Sequence, residues 1–245
     1  MNYCRIIPIV LISDGRVVKT TRFRSAKYIG SPVNTVKMFS DFGADELIVL
    51  DINTSNSITQ KIDFRLFELI AKHCQIPLGF GGGIGKLSQA LQLIRTGCEK
   101  VVINSANFRN PNLIKEVSEV IGSQAVVGAV DYMESRNCAV YDNGRQSSTL
   151  SPLDWSKELV DRGAGEILLT SIERDGSFSG LDWKTFDEVS KQTSTPIILS
   201  GGFHTTTEFQ GRETKQIPSG IGVGSSFLFQ NRTKGGVVVH YSRLT

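Results

Sequence analysis

A repeat at a spacing of 120 residues limits the possible folds of this chain more than any other feature of its sequence. Residues 42–50 read FGADELIVL and residues 162–170 read RGAGEILLT. The same offset relates Gly81-Gly82 to Gly201-Gly202, Ser105 to Ser225, and residues 6–11 to residues 126–131. Because Gly, Glu and Ser positions match along with the apolar ones, the repeat predicts two equivalent halves, about residues 1–120 and 121–245.

Eight short apolar runs recur along the chain, and each is rich in Val, Ile and Leu. Residues within a run are nearly all apolar and do not alternate with polar ones, as expected of strands that are buried on both faces. The runs span residues 6–12, 47–50, 77–80, 101–103, 125–130, 167–169, 197–199 and 221–223. We predict that each run forms a β-strand.

Amphipathic stretches between the runs carry signals for the start and end of helices. Ser31-Pro32, Asn110-Pro111 and Ser151-Pro152 are expected to begin helices, which Gly43, Gly122 and Gly163 are expected to end. Eight strands with intervening helices predict one α/β domain, a (β/α)8 (TIM) barrel over residues 1–245. The last two helices are the least defined, because residues 205–216 are polar and residues 237–239 suit a strand equally well.

Composition excludes several classes of protein. With 27 Lys+Arg against 24 Asp+Glu, the net charge of +3 is too small to indicate nucleic-acid binding. No apolar stretch approaches the roughly 18 residues needed to span a membrane, and residues 6–12 lack a signal-peptide cleavage site. The four cysteines have no metal-ligand spacing, so we expect no metal and a reducing, cytoplasmic location. No segment resembles a dinucleotide site, so we expect no other cofactor.

Glycine-rich segments follow four of the predicted strands. In the first half these are Gly81-Gly82-Gly83 and Asn104-Ser105, and in the second half Gly201-Gly202 and Gly224-Ser225. Glycines at strand ends allow backbone N–H groups to approach an anion. The symmetric pairing predicts two phosphate sites and a ligand with a phosphate at each end, although tight turns alone would also explain glycines here. Asp175-Gly176 would add a turn beside the second site.

Carboxylates at strand ends are the candidates for proton transfer. Asp131 ends an otherwise apolar run, where an unpaired charge would be costly in a core, so we expect it to project into the barrel mouth as a general acid or base. The repeat places Leu11 at the equivalent position of the first half. Asp51 also ends a strand and is expected to order loops or bind Lys19, and Thr170 joins them in the mouth.

Two connections are unusually long, and both follow equivalent strands at the end where barrel active sites lie. Residues 13–30 carry Arg16, Lys19, Arg22, Arg24 and Lys27. Residues 132–150 contain Asp142-Asn143-Gly144, which is a hairpin turn signal.

Four charged residues, each immediately before an apolar run, predict a ring at the opposite end of the barrel. They are Arg5, Glu46, Lys100 and Glu166. Two positive and two negative charges would neutralise one another, which makes partial burial tolerable. From the residues alone, a structural plug and a functional passage are equally good explanations.

The chain resembles the cyclase subunit family of imidazole glycerol phosphate synthase, HisF, over nearly its whole length. The resemblance is carried by RIIP from Arg5, DGRVVK from Asp14, residues 45–52, residues 81–84, residues 100–104, GSQAVV from Gly122 and most specifically GAGEILLTSIERDG from Gly163. It implies a mouth that binds a bisphosphorylated ribonucleotide intermediate and a HisH-type glutaminase docked on the amino-terminal face. Arg5, Glu46, Lys100 and Glu166 match the family's ammonia gate, and Asp131 matches one of its two catalytic aspartates.

The other catalytic aspartate of the family falls on Leu11, which cannot exchange a proton. HisF-like paralogues of the WbuZ, glycosyl amidation-associated type also resemble this chain and carry an apolar residue there. That likeness implies an ammonia conduit working with a glutaminase and an amidotransferase that modifies an N-acetyl sugar for surface polysaccharide. A genuine cyclase, a related half-barrel sugar isomerase and a non-catalytic docking protein remain the alternatives.

Overall fold

The computed structural model describes residues 4–53, 62–209, 212, 217–229, 237, 240 and 241. The strands within these residues are β1 (Arg5–Ser13), β2 (Arg16–Thr21), β3 (Arg24–Gly30), β4 (Leu47–Asp51), β5 (Leu78–Gly81), β6 (Lys100–Ile103), β7 (Val126–Met133), β8 (Cys138–Tyr141), β9 (Gln146–Ser147), β10 (Glu166–Ser171), β11 (Ile197–Ser200) and β12 (Gly220–Val223). The helices are α1 (Pro32–Asp41), α2 (Phe64–Lys72), α3 (Leu87–Arg95), α4 (Ala106–Arg109), α5 (Leu113–Ile121), α6 (Pro152–Asp161), α7 (Trp183–Ser190) and α8 (Ser225–Leu228).

Eight of these strands form a closed parallel barrel. Their order around the barrel is β1, β4, β5, β6, β7, β10, β11 and β12, and β12 pairs in parallel with β1 to close it. Each predicted apolar run lies in one of these strands, except that Pro77 and Ala125 immediately precede theirs, and the helices lie between the strands. The predicted (β/α)8 barrel is therefore confirmed.

Burial on both faces of the sheet explains why the runs are continuously apolar. One set of side chains fills the barrel interior, among them Ile7, Ile48 and Ile198, each fully buried. Alternate side chains, such as Val10 and Val49, pack outward in a larger cluster together with residues of the helices. The middle of the barrel interior is consequently filled by hydrocarbon side chains.

The helix signals are confirmed for two helices and shifted for a third. Helices α1 and α6 begin at the predicted prolines, and Ser151 Oγ accepts the Asp154 N–H at 3.1 Å. Helix α5 begins at Leu113 and not beside Pro111, because Asn110 first forms a turn in which its side chain accepts the Asn112 N–H. None of the helices described here is long and apolar enough to cross a membrane.

The two long connections form antiparallel hairpins, which the sequence prediction missed for residues 13–30. Strand β2 pairs with β1 and β3 pairs with β2, because Val17 and Val18 are buried and extend the apolar sheet. In the second connection, β8 pairs with β7 and β9 pairs with β8. The predicted turn at Asp142-Asn143-Gly144 joins β8 to β9, with φ values of 53°, 56° and 76°.

The end of the chain is only partly described. Within residues 205–216, a single 3-10 turn spans Thr206–Phe209, and residues 210, 211 and 213–216 lie outside the described part. Val237 forms an antiparallel bridge with Phe229, while residues 238 and 239 also lie outside it.

Candidate functional site

The carboxyl ends of the barrel strands surround a cavity of about 380 Å³. Apart from Gly81, every residue predicted for the mouth lines this cavity: Lys19, Asp51, Gly82, Gly83, Asn104, Ser105, Asp131, Thr170, Asp175, Gly176, Gly201, Gly202, Gly224 and Ser225. The barrel topology brings them together because parallel strands present their carboxyl ends at one face. Leu11 lines the same cavity.

Asp131 is the carboxylate best placed for proton transfer. It lies on β7 and accepts a hydrogen bond from Asn104 Nδ2 at 2.6 Å. Burial raises the pKa of Asp131 to about 7, the Asp175 carboxylate adds to the rise, and the hydrogen bond from Asn104 opposes it. A carboxyl with this pKa exchanges a proton readily near neutral pH.

The two halves of the mouth differ in polarity at equivalent positions. On β7 and β10, Asp131 lies beside Thr170 in the strand register. On β1 and β4, Leu11 lies beside Leu50 at the positions related by the repeat. At this level one side of the mouth therefore carries a carboxylate and a hydroxyl, and the other carries two hydrocarbon side chains, with the Asp51 carboxylate one residue further along β4. Leu50 was not predicted from the sequence, although the 120-residue offset from Thr170 would have found it.

The glycine-rich segments of the second half, Gly201-Gly202 and Gly224-Ser225, are called here the second glycine cradle. This cradle lies beside a buried ion pair. Lys19 Nζ is 2.7 Å from Asp175 Oδ1, so Lys19 forms an ion pair with Asp175. A Cβ at Gly224 would lie 2.9 Å from Lys19 Cε, which places the lysine against this cradle. Ser225 Oγ is buried there without a hydrogen-bond partner in the described structure. The backbone N–H groups of these glycines and the unpartnered Ser225 hydroxyl are suited to an anion, and the paired Lys19 ammonium lies beside them.

The glycine-rich segments of the first half, Gly81-Gly82-Gly83 and Asn104-Ser105, are called here the first glycine cradle. This cradle lies against the end of β4. Gly82 has φ +113°, and a Cβ there would lie 2.3 Å from the Asp51 carbonyl oxygen, so only glycine fits. Burial raises the pKa of Asp51, and Asp51 orders its loop, as predicted, by accepting the Asn53 N–H at 3.0 Å. Ser105 Oγ accepts the Asp142 N–H at 2.8 Å, which brings the β8–β9 turn over this cradle.

The four predicted floor residues form a closed ring of ion pairs, called here the floor ring. Lys100 Nζ lies 2.9 Å from Glu46 Oε1 and 2.8 Å from Glu166 Oε2, and Arg5 pairs with both glutamates from the other side. The glutamate side chains are 3% and 6% exposed. Burial would lower the pKa of Arg5, but the carboxylates of Glu166 and Glu46 raise it.

Ser219 belongs to the floor ring and was not predicted. Its carbonyl oxygen accepts from Arg5 Nε at 3.2 Å, and its hydroxyl lies within hydrogen-bond distance of Arg5 and of Glu166. Ser219 immediately precedes β12, as the predicted members precede or begin their strands, so its position was the available signal. A small polar residue before an apolar run is too common for that signal to stand out.

The cavity can hold an anionic ligand and exchange a proton with it. Its groups are one carboxyl with a pKa near neutrality, one amine–carboxylate pair and two glycine cradles. In the part of the chain that the structure describes, no three His, Cys, Asp or Glu side chains are arranged to hold a metal ion.

Comparison with known proteins assigns the family. The model of the family described as "Histidine biosynthesis protein" matches residues 5–233. This chain belongs to the histidine biosynthesis protein family. Within it, the chain is a HisF-like member of the imidazole glycerol phosphate synthase subunits.

Three relatives illustrate the likeness. The proteins named imidazole glycerol phosphate synthase subunit HisF from Methanocaldococcus jannaschii and Bacillus cereus strain G9842 are each 40% identical. The alignments cover 81% of this chain, and 80% and 79% of those proteins. A Leptospira interrogans protein, which bears the same name with a provisional qualifier, is 35% identical over 97% of this chain and 94% of its own length.

Proposed function

We propose that this chain conducts ammonia within a glutamine-dependent complex and is paired with a HisH-type glutaminase. The ammonia is delivered to an N-acetyl sugar amidotransferase, a third partner, in the biosynthesis of a surface polysaccharide such as O-antigen. One contrast carries this proposal. All four residues of the floor ring are present and paired. Of the two equivalent strand ends at the mouth, however, only Asp131 bears a carboxylate, and the other bears Leu11.

The barrel interior supports the passage of ammonia. Ile7, Ile48 and Ile198 lie inside the barrel between the floor ring and the mouth, and all three are fully buried. A neutral NH3 molecule can cross hydrocarbon, whereas ammonium would pay the cost of leaving water. The floor ring would supply polar atoms at the entrance, and its balanced charge avoids a net positive charge that would repel ammonium.

The hydrocarbon side of the mouth supports the loss of cyclase chemistry. Leu11 is 8% exposed and lies beside Leu50, so the first half of the mouth offers no proton donor at this level. Loss of one positioned acid or base costs about 10²–10⁴-fold in rate. A barrel with a complete floor ring but only one of the two proton-transfer residues is better suited to delivering ammonia than to closing an imidazole ring.

The second candidate function is a genuine cyclase of histidine biosynthesis. This lyase would form imidazole glycerol phosphate and the aminoimidazole carboxamide ribonucleotide from the bisphosphorylated intermediate and ammonia. Asp131, with its pKa near 7, and the two glycine cradles favour it. Asp131 would act as the acid or base, and another group would have to replace the missing aspartate.

A direct assay separates the two functions. The purified chain is given ammonium salt and the bisphosphorylated intermediate, with the Bacillus cereus relative as a matched control. We expect a turnover at least about 10²-fold below that of the control. Turnover equal to the control would contradict the delivery role and establish the cyclase.

A further inference from the structure

The β2–β3 hairpin rises from the mouth and is fixed at its base. Lys19 and Thr20 of β2 reach the carboxylate of Asp175, at 2.7 Å and 3.4 Å. The turn that follows is also held, because the Arg22 N–H donates to the Asp175 carbonyl oxygen at 2.9 Å. The hairpin is thus a defined feature of the face from which ammonia would leave.

The outer strand of this hairpin is exposed in a way that barrel strands are not. All five residues from Arg24 to Tyr28 are exposed to solvent, and the Tyr28 side chain is 60% exposed. A strand that packs on a core alternates between buried and exposed residues, so these residues show that both faces of β3 are in water. Within the described residues β3 pairs only with β2, which leaves its outer edge open for a further strand.

The hairpin is strongly basic. Between Arg16 and Gly30 the sequence has five Lys or Arg and no Asp or Glu, although the whole chain carries a net charge of only +3. Lys19 is neutralised by Asp175. The other four cations are exposed at the side of the mouth: Arg16, Arg22, Arg24 and Lys27. Two of them also have contacts within the chain, because Lys27 Nζ lies over the Phe229 ring and Arg22 Nε donates to the Glu173 carbonyl oxygen.

We propose that the exposed β3 strand is the docking surface for the ammonia-accepting enzyme, which contributes an acidic extended segment. This inference rests on the proposed delivery role and names the surface that this role requires. Ammonia released from an open mouth would be diluted and protonated, so the acceptor must cover the face on which this hairpin stands. An added strand would satisfy the backbone groups of β3, and its carboxylates would meet Arg16 and Arg24.

The same features select against two copies of this chain pairing through β3. Two such strands side by side would bring their cations together, and like charges directly opposite one another are destabilising. An acidic partner meets no such penalty. Tyr28 adds a large exposed aromatic ring, of the kind enriched in the centre of protein interfaces.

The test reconstitutes three purified proteins: this chain, a HisH-type glutaminase and an N-acetyl sugar amidotransferase from the same organism. Arg24→Glu is compared with Lys184→Glu, which reverses an exposed cation in the first turn of α7 on the outer helix layer. We expect Arg24→Glu to weaken binding of the amidotransferase about tenfold or more at low salt, and Lys184→Glu to leave it unchanged. Tyr28→Ser, which keeps the charge, should also weaken binding.

The outcomes separate this inference from the function on which it rests. If wild-type protein supports glutamine-dependent sugar amidination and both hairpin variants bind and transfer as well as wild type, the docking surface is wrong while the delivery role stands. If the wild-type mixture forms no amidinated sugar from glutamine, both fall. Unchanged glutaminase stimulation by the variants would show that they remain folded. Binding of the wild type to phosphatidylglycerol vesicles, lost in Arg24→Glu, with no complex with the amidotransferase would assign the cations to a membrane and overturn the protein partner.

Discussion

Leu11 stands where the symmetry of the barrel would place a second carboxylate. Its neighbour at the same level on β4 is the hydrocarbon side chain of Leu50. The equivalent positions on β7 and β10 carry the polar residues Asp131 and Thr170. The difference between conduit and cyclase therefore depends on one side chain more than on any other. Substitution at this position is the most informative single change.

We predict that Leu11→Asp increases the ammonia-dependent cyclase rate about 10²–10⁴-fold over the wild type, because it restores the missing acid or base. Leu11→Asn is the matched control, since it has the same shape as Asp and cannot exchange a proton. Steady-state kinetics with the bisphosphorylated intermediate measure both. An equal gain in the two variants would show that polarity, and not proton transfer, limits the reaction.

Asp131 predicts a pH dependence of stability. Burial holds its pKa at about 7, above the roughly 3.9 of an exposed Asp, so the folded state binds this proton more tightly than the unfolded state does. This contribution is complete below the unfolded pKa and is lost as the pH rises through 7. Between pH 5 and pH 8, wild type should lose on the order of 2–3 kcal/mol of unfolding free energy relative to Asp131→Asn. Urea unfolding at the two pH values measures this, and parallel losses would contradict it.

The βα units were predictable because each carries a signal in a short window. The apolar runs located every barrel strand, and Ser151-Pro152 with Gly163 located α6 within two residues of its end. The hairpin β2–β3 was missed because its buried Val17 and Val18 are surrounded by cations that are typical of a loop. The Lys19–Asp175 pair joins residues 156 positions apart, and no local pattern specifies such a contact.

Glycines that end strands provide a test of the packing around the mouth. Gly201 has φ +95°, and a Cβ there would lie 2.4 Å from the Ser171 carbonyl oxygen. Gly15 has a similarly positive φ, +68°, but a Cβ would meet nothing within 4 Å. We predict that Gly201→Ala costs about 2 kcal/mol more unfolding free energy than Gly15→Ala, because it adds a backbone clash to the conformational strain. Chemical denaturation compares them, and equal losses would show that the backbone relaxes freely.

The barrel as a unit has two chemically distinct ends joined by a hydrocarbon interior. At one end Arg5, Lys100 and two glutamates form a ring without net charge. At the other end lie the cavity, the cradles and the basic hairpin. Neither end is specified by a single element, because each gathers residues from at least four strands or their flanking loops. The proposed delivery role therefore requires that the two ends work together and that ammonia passes between them.

Altering the floor ring tests that requirement most directly. The variant Lys100→Met with Glu46→Gln removes one charge of each sign and keeps the Arg5–Glu166 pair, which avoids the roughly 3–5 kcal/mol cost of an unpaired buried charge. In the reconstituted complex, the measurement is the rate of sugar amidination from glutamine and from added ammonium salt, with glutaminase activity as the control. We predict that the variant lowers the glutamine-dependent rate about tenfold or more and keeps the ammonium-dependent rate within about twofold of wild type. An unchanged glutamine-dependent rate would contradict passage of ammonia through the barrel.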